Sequence, residues 1–146
     1  MSIKPHYTLV NPYHIDEVWP IVSPWLIQAI GEEPYWGQIS QIREEIRVGS
    51  MHLWVVQDTS NGAILAVAVT EPQMLGGHKI LIVRWMGGRN IDQWLNDMGV
   101  IERWAKVNSF VRVEIWGRPG WSRKFAPFGY REDYRVIGKQ LDKELH

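Results

Sequence analysis

Ile80-Leu81-Ile82-Val83 is an unbroken aliphatic run between two glycine pairs, Gly76-Gly77 and Gly87-Gly88. A run this short, rich in β-branched residues and bounded by turn signals, reads as a strand buried on both faces. The sheet that holds it must therefore be covered on both sides. Upstream, Met51 to Val56 is strand-like, and Asn61-Gly62 is the strongest short hairpin signal in the chain. Ala63 to Thr70 reads as the returning strand, and Lys79 to Met86 as the third strand of an antiparallel meander.

The flanks follow a helical period. His6 to Val10 reads as a first strand, ended by Asn11-Pro12. Ile15, Val18, Trp19, Val22 and Leu26 then recur at helical spacing. Asp16 is the expected cap, with Pro20 in the first turn and Pro24 either kinking the helix or starting a second segment. Gly31-Glu32-Glu33-Pro34 breaks the pattern. Ile39, Ile42 and Ile46 line one face of a second helix, stopped by Gly49. After the meander, Asn90 and Gln93 are spaced as a capping box for a helix with the stripe Ile91, Trp94, Leu95, Met98, Ile101 and Ala105. Phe110 to Trp116 reads as a strand and Gly117-Arg118-Pro119-Gly120 as a turn. Trp121 to Phe128 reads as a short helical segment closed by Gly129, and Tyr134 to Leu141 as a last strand. The expected architecture is α/β, a mixed sheet in the order β-α-α-β-β-β-α-β-α-β, forming a single domain over residues 1–146.

Composition removes several function classes. The chain has 146 residues and no cysteine, which excludes disulfides, thiolate zinc sites and cysteine nucleophiles. Its five histidines show no metal-ligand spacing, so no metal is expected. No serine sits in a Gly-x-Ser-x-Gly setting, and there is no Walker loop. The absence of an apolar leader or an apolar span predicts a cytoplasmic protein without a membrane partner. The formal net charge is zero, which argues against nucleic acid as a general partner. The charges are nevertheless uneven. Residues 1–100 carry six basic and ten acidic side chains, and residues 101–146 carry ten basic and six acidic. A basic last third suits an anionic ligand or a solvated face. With Trp116 and Trp121 as stacking platforms it also suits nucleic acid, the weakest of the readings. Nine tryptophans point to aromatic packing or a contact surface; Trp54, Trp94 and Trp104 fall on apolar faces and read as core.

Three features carry chemistry. Gly87-Gly88-Arg89, ahead of a helix start, lets backbone N–H groups approach an anion, with the helix end and Arg89 adding positive charge. The bland reading is a tight strand-to-helix turn. Glu71 and Glu114 are candidate bases, although Glu114 is two residues from Arg112 and suited to pair with it. Ser122 is a candidate proton donor. His78, opening a strand, reads as a solvated strand end.

The element order, the glycine loop after a strand and the close Phe128-Gly129-Tyr130-Arg131-Glu132 together resemble the GNAT superfamily of N-acetyltransferases. Gly49-Ser50-Met51-His52-Leu53-Trp54, Ile101-Glu102-Arg103-Trp104-Ala105 and Gly117-Arg118-Pro119-Gly120-Trp121 resemble small GNAT-like proteins of tailed bacteriophages. The resemblance implies an acyl-CoA-dependent N-acyltransferase, moving acetyl from acetyl-CoA to a small amine or protein amine by direct attack. It implies cofactor contacts along Arg84, Trp85, Met86, Gly87, Gly88, Arg89 and Asn90. Two departures stand out. The loop Arg84-Trp85-Met86-Gly87-Gly88-Arg89 has Arg89 where the family keeps a small residue. Phe125 stands where the family often keeps a tyrosine acid. The alternative is therefore a phage protein that keeps the fold without the chemistry, a virion component or a binder of a host protein or of its own copies, placed in host cytoplasm or virion.

Overall fold

The computed structural model describes residues 3–31, 37–117 and 120–141. Two compact units divide the chain, Met1–Trp116 and Gly117–His146.

The first unit is built on one sheet. Its strands are β1 (Pro5–Leu9), β2 (His52–Asp58), β3 (Ile64–Leu75), β4 (His78–Gly88) and β5 (Arg112–Ile115), adjacent in that order. Every neighbouring pair is antiparallel except β4 with β5. The meander forms where the turn residues require it. Gly62 has φ 76°, the Asn61 side chain accepts from the Ala63 N–H, and Gly76-Gly77 turns with both φ values positive. Leu81, Ile82 and Val83 are buried, as a central strand covered on both faces demands.

Helix α1 (Ile15–Ile30) and helix α2 (Ile39–Arg47) cover one face. Ile15, Trp19, Val22, Leu26 and Ile30 of α1, with Ile42 and Ile46 of α2, pack on Leu53, Val55, Val67, Val69 and Trp85. The opposite face carries Trp54 and Thr70, covered by α3 (Ile91–Trp94), a 3₁₀ turn at Leu95–Asp97 and α4 (Gly99–Val107). There the Tyr7 hydroxyl donates to the Trp94 carbonyl at 2.8 Å, and Trp104 packs edge-on against Trp54 and His52. Burial, with Asp97 nearby, pushes the Tyr7 phenol well above its ordinary range.

Local expectations fail where tertiary contacts or solvent compensate. Helix α1 begins at Ile15 and runs unbroken through Pro20 and Pro24. Both prolines are exposed, so water can reach the carbonyls they leave unpaired. Asp16 therefore lies in the first turn instead of capping it. Asn90 is left-handed with φ 58° and makes no side-chain cap, so the capping box is absent. The Asn90 carbonyl instead accepts from the Gln93 N–H at 2.9 Å. The expected single helix after it is split ahead of Gly99, a weak helix former, yet its stripe Trp94, Leu95, Met98, Ile101 and Ala105 is buried as a unit. The Gly31–Pro34 break lies largely outside the described residues.

In the second unit, α5 (Gly120–Phe125) and a 3₁₀ turn at Ala126–Phe128 end at Gly129, whose φ is 89°. Phe125 is buried and touches the rings of Trp121, Phe128 and Tyr130. Residues 130–141 are not a strand, which corrects the expected sixth one. Val136, Ile137 and Leu141 are exposed, so the apolar alternation there finds no sheet to bury it. The Arg118-Pro119 step of the preceding turn lies outside the described residues.

Candidate functional site

The pairing of β3 with β4 slips by one residue. Val69 faces Trp85 while Thr70 faces Val83, so Arg84 is the extra residue of a β-bulge. A bulge re-aims a side chain, and here it aims a charge. Beyond it, Glu71 pairs with Ile82 and Ile82 with Glu114. Paired residues share a face, so the two carboxyl groups flank Ile82 on the face that α1 and α2 cover.

Arg84 donates to Glu71 Oε2, and both side chains are about four-fifths buried. The guanidinium also lies 4.5 Å from the Trp85 ring centroid and 5.3 Å from that of Trp116. Gln73 Nε2 donates to Glu71 Oε1 at 2.9 Å. On β5, Arg112 Nε and Trp116 Nε1 each donate to Glu114 at 3.0 Å. Glu114 pairs with Arg112 as its spacing suggested. The result is a chain of contacts from Gln73 through Glu71, Arg84, Trp116 and Glu114 to Arg112. It crosses three strands at the point where β5 ends.

A cleft of about 320 Å³ opens beside this chain, between α2 and β3–β4. Glu45 and Gln41 of α2 line it, with Met51, Glu71, Arg84 and Trp85. Sequence reasoning missed Glu45 and Gln41. Their spacing of four put them on one helix face, but nothing in the sequence placed that face over Glu71.

The parallel pairing of β4 with β5 stops early. It covers Ile80 to Val83, and the Trp116 N–H then donates to the Val83 carbonyl at 3.0 Å. β4 continues to Gly88, and among the described residues no strand pairs with that stretch on the β5 side.

The expected glycine loop is instead part of β4. Gly88 pairs with Ala66, and the Arg89 N–H donates to the Leu65 carbonyl at 2.7 Å. A Cβ on Gly88 would lie 2.4 Å from the Leu65 carbonyl oxygen, and one on Gly87 would lie 3.0 Å from that of Trp25. Gly88 is thus required by packing, and Gly87 is tightly packed against α1. The Trp85 and Met86 side chains are buried, whereas Arg89 and Asn90 are exposed. Ser122 lies on α5 in the second unit, and His78 is exposed at its strand end. Trp116 already covers Arg84 and Trp121 packs on Phe125. Trp116 nevertheless stays exposed, and Trp121 is half-buried.

A half-buried imidazole, that of His52, sits on the opposite face. Trp54 Nε1 donates to Thr70 Oγ1 at 3.0 Å, and Thr70 Oγ1 is 3.0 Å from His52 Nδ1. An indole only donates, so we assign the hydroxyl hydrogen to His52 Nδ1 and the neutral ring's own hydrogen to Nε2. Burial, helped by Lys79, holds His52 below the ordinary imidazole value of 6.5. The unfolded chain then binds this proton more tightly than the folded one. Stability is therefore complete above the unfolded value and falls as pH drops below it. Urea midpoints measured between roughly pH 5 and pH 7 should rise with pH, and His52→Gln should flatten that rise.

No protein-family model and no curated protein matches the chain. Solved structures do. Aminoglycoside N-acetyltransferase AAC(6')-Iy in complex with CoA is similar at a TM-score of 0.70 and 13% identity, over 97% of each chain. A ribosomal-protein-alanine N-acetyltransferase from Brucella melitensis is similar at 0.69 and 12%, over 94% of this chain and 99% of the other. An acetyltransferase from Trypanosoma brucei is similar at 0.64 and 12%, over 94% of this chain and all of the other. The fold is that of the GNAT acetyltransferases.

Proposed function

We propose that this chain transfers an acyl group from an acyl-CoA thioester, acetyl-CoA in the simplest case, to an amine. The observation that carries the reading is the strand edge left open where β5 ends while β4 runs on past a bulge. An unpaired edge offers alternating N–H and C=O groups, and an amide-bearing arm can add to it as a further strand would. The thioester supplies an activated acyl carbonyl. A carbon–nitrogen bond forms as the carbon–sulfur bond breaks. The amine gives up a proton, and the leaving thiolate accepts one.

The chain's residues fit such a donor in part. The β4 edge suits the amide arm, and exposed Arg89 suits a phosphate. The Arg89 N–H does not, because Leu65 already holds it. Both candidate bases are held by donors, Glu71 by Arg84 and Gln73 and Glu114 by Arg112 and Trp116, but Glu71 is the one that lines the cleft. Ser122 is retained as a candidate donor on chemistry alone. The chain is expected to melt at a higher temperature in millimolar acetyl-CoA, because a ligand of the folded state stabilises it. Arg89→Ala should weaken that binding by about 1–3 kcal/mol. No thermal shift and no thiol release with a panel of amines would overturn the reading.

A second reading, a GNAT-like protein of phage type without the chemistry, is favoured by one pair of observations. Arg84 is held by Glu71 and two indoles, and Phe125 is buried among rings. A chain that binds no acyl-CoA but forms a stable protein complex would support it.

A further inference from the structure

The cleft between α2 and β3–β4 has two carboxyl groups in unequal states. Glu71 is occupied by Arg84 and Gln73. Glu45 is half-buried, and its side chain makes no hydrogen bond or ion pair among the described residues. Its neighbours Glu44 and Arg47 pair with each other, so the basic residue nearest in sequence is spent elsewhere. Arg43 is likewise engaged with Asp16. Gln38, Gln41, Ile42, Met51 and Trp85 also line it: amides, an aliphatic side chain, a polarisable thioether and an aromatic ring over which Arg84 already lies. With the unpaired Glu45 carboxyl group they describe a pocket for an ammonium group on a short apolar stem. At about 320 Å³ it lies at the small end of ligand pockets, so it takes a small molecule or a single side chain.

We infer that this cleft binds a dication, an acceptor bearing two nitrogens, with one ammonium held by Glu45. The inference rests on the acyl-transfer reading for its second nitrogen. A carboxylate beside an amine favours the charged form, and a protonated amine has no lone pair with which to attack. The nitrogen at Glu45 is therefore the one that does not react. The reacting nitrogen lies further along the stem, toward the bulge, where Arg84 already neutralises Glu71, so a second ammonium is favoured less there than at Glu45. Glu45 is thus a positioning residue that selects the acceptor.

The test uses the whole chain without any acyl donor. 1,4-Diaminobutane, 1-aminobutane and 1,4-butanediol would be titrated calorimetrically at low and moderate salt. Both amines should bind and the diol should not. Glu45→Gln should weaken amine binding by about tenfold or more, as expected for a lost charge-assisted contact. Gln41→Glu, which adds a carboxyl group to the same wall, should tighten it, and Glu44→Gln should leave it unchanged. The Gln41 variant keeps the test decisive if Glu45→Gln does not fold. Equal binding of the diol, no binding of the diamine, or Gln41→Glu and Glu45→Gln titrating like the parent would overturn the inference. With acetyl-CoA added, the diamine should release thiol while 1-aminobutane only competes. Glu45-dependent diamine binding without thiol release would keep the pocket and overturn the acyl-transfer reading.

Discussion

Gly88→Ala is expected to destabilise the first unit by about 3–5 kcal/mol, enough to unfold a marginal domain. Two costs add. The backbone at Gly88 has φ 142°, a region that side chains rarely enter, which costs roughly 1–3 kcal/mol. The new methyl would also sit 2.4 Å from the Leu65 carbonyl oxygen and 2.5 Å from the Ala66 Cα. Both are backbone atoms of a buried strand and cannot swing aside, so β3 and β4 must separate at their end. Gly62→Ala is the matched control. Its φ is 76° with open space around the Cα, so it carries only the conformational cost. Urea denaturation of both variants separates the terms. A Gly88→Ala chain no less stable than Gly62→Ala would show that the glycine is not needed for packing.

Arg84→Met should cost about 2–3 kcal/mol and abolish any acyl transfer. Methionine keeps much of the stem's contact with the Trp85 and Trp116 rings but leaves Glu71 without its cation. Removing one partner of a fully buried pair costs about 3–5 kcal/mol; the side chains here are 19% and 18% exposed, which lowers the figure. Adding Glu71→Gln should return part of the stability, since the orphaned carboxyl group is then gone. Activity should not return with it. Stability recovered in the double variant together with full turnover would exclude both residues from the chemistry.

The fold was legible because its signals were local. Asn61-Gly62 and Gly76-Gly77 set the meander, and the aliphatic run Ile80–Val83 marked the centre of the sheet. The stripe from Trp94 to Ala105 marked the helical layer on one side. Legibility failed where the outcome depended on partners distant in sequence. Gly87 and Gly88 looked like a loop, since a glycine packed against a carbonyl of α1 or β3 reads the same as one required by a turn. Residues 134–141 alternate like a strand but lack a strand to pair with. The site was less legible still. Glu71 and Glu114 were visible singly, but the bulge that sets Arg84 between two indoles is a matter of register. Glu45 joins them only because α2 lies across the sheet.

The early end of β5 also governs how the amides of β4 meet solvent. The Arg89 N–H points to β3, and alternation places those of Trp85 and Gly87 on the same side. The N–H groups of Met86 and Gly88 then point the other way, to the edge that β5 leaves bare among the described residues. Hydrogen exchange along one strand is thereby two-toned, slow and fast at successive residues. Anything that docks on that edge as a strand would slow the fast members and leave the slow ones as they were.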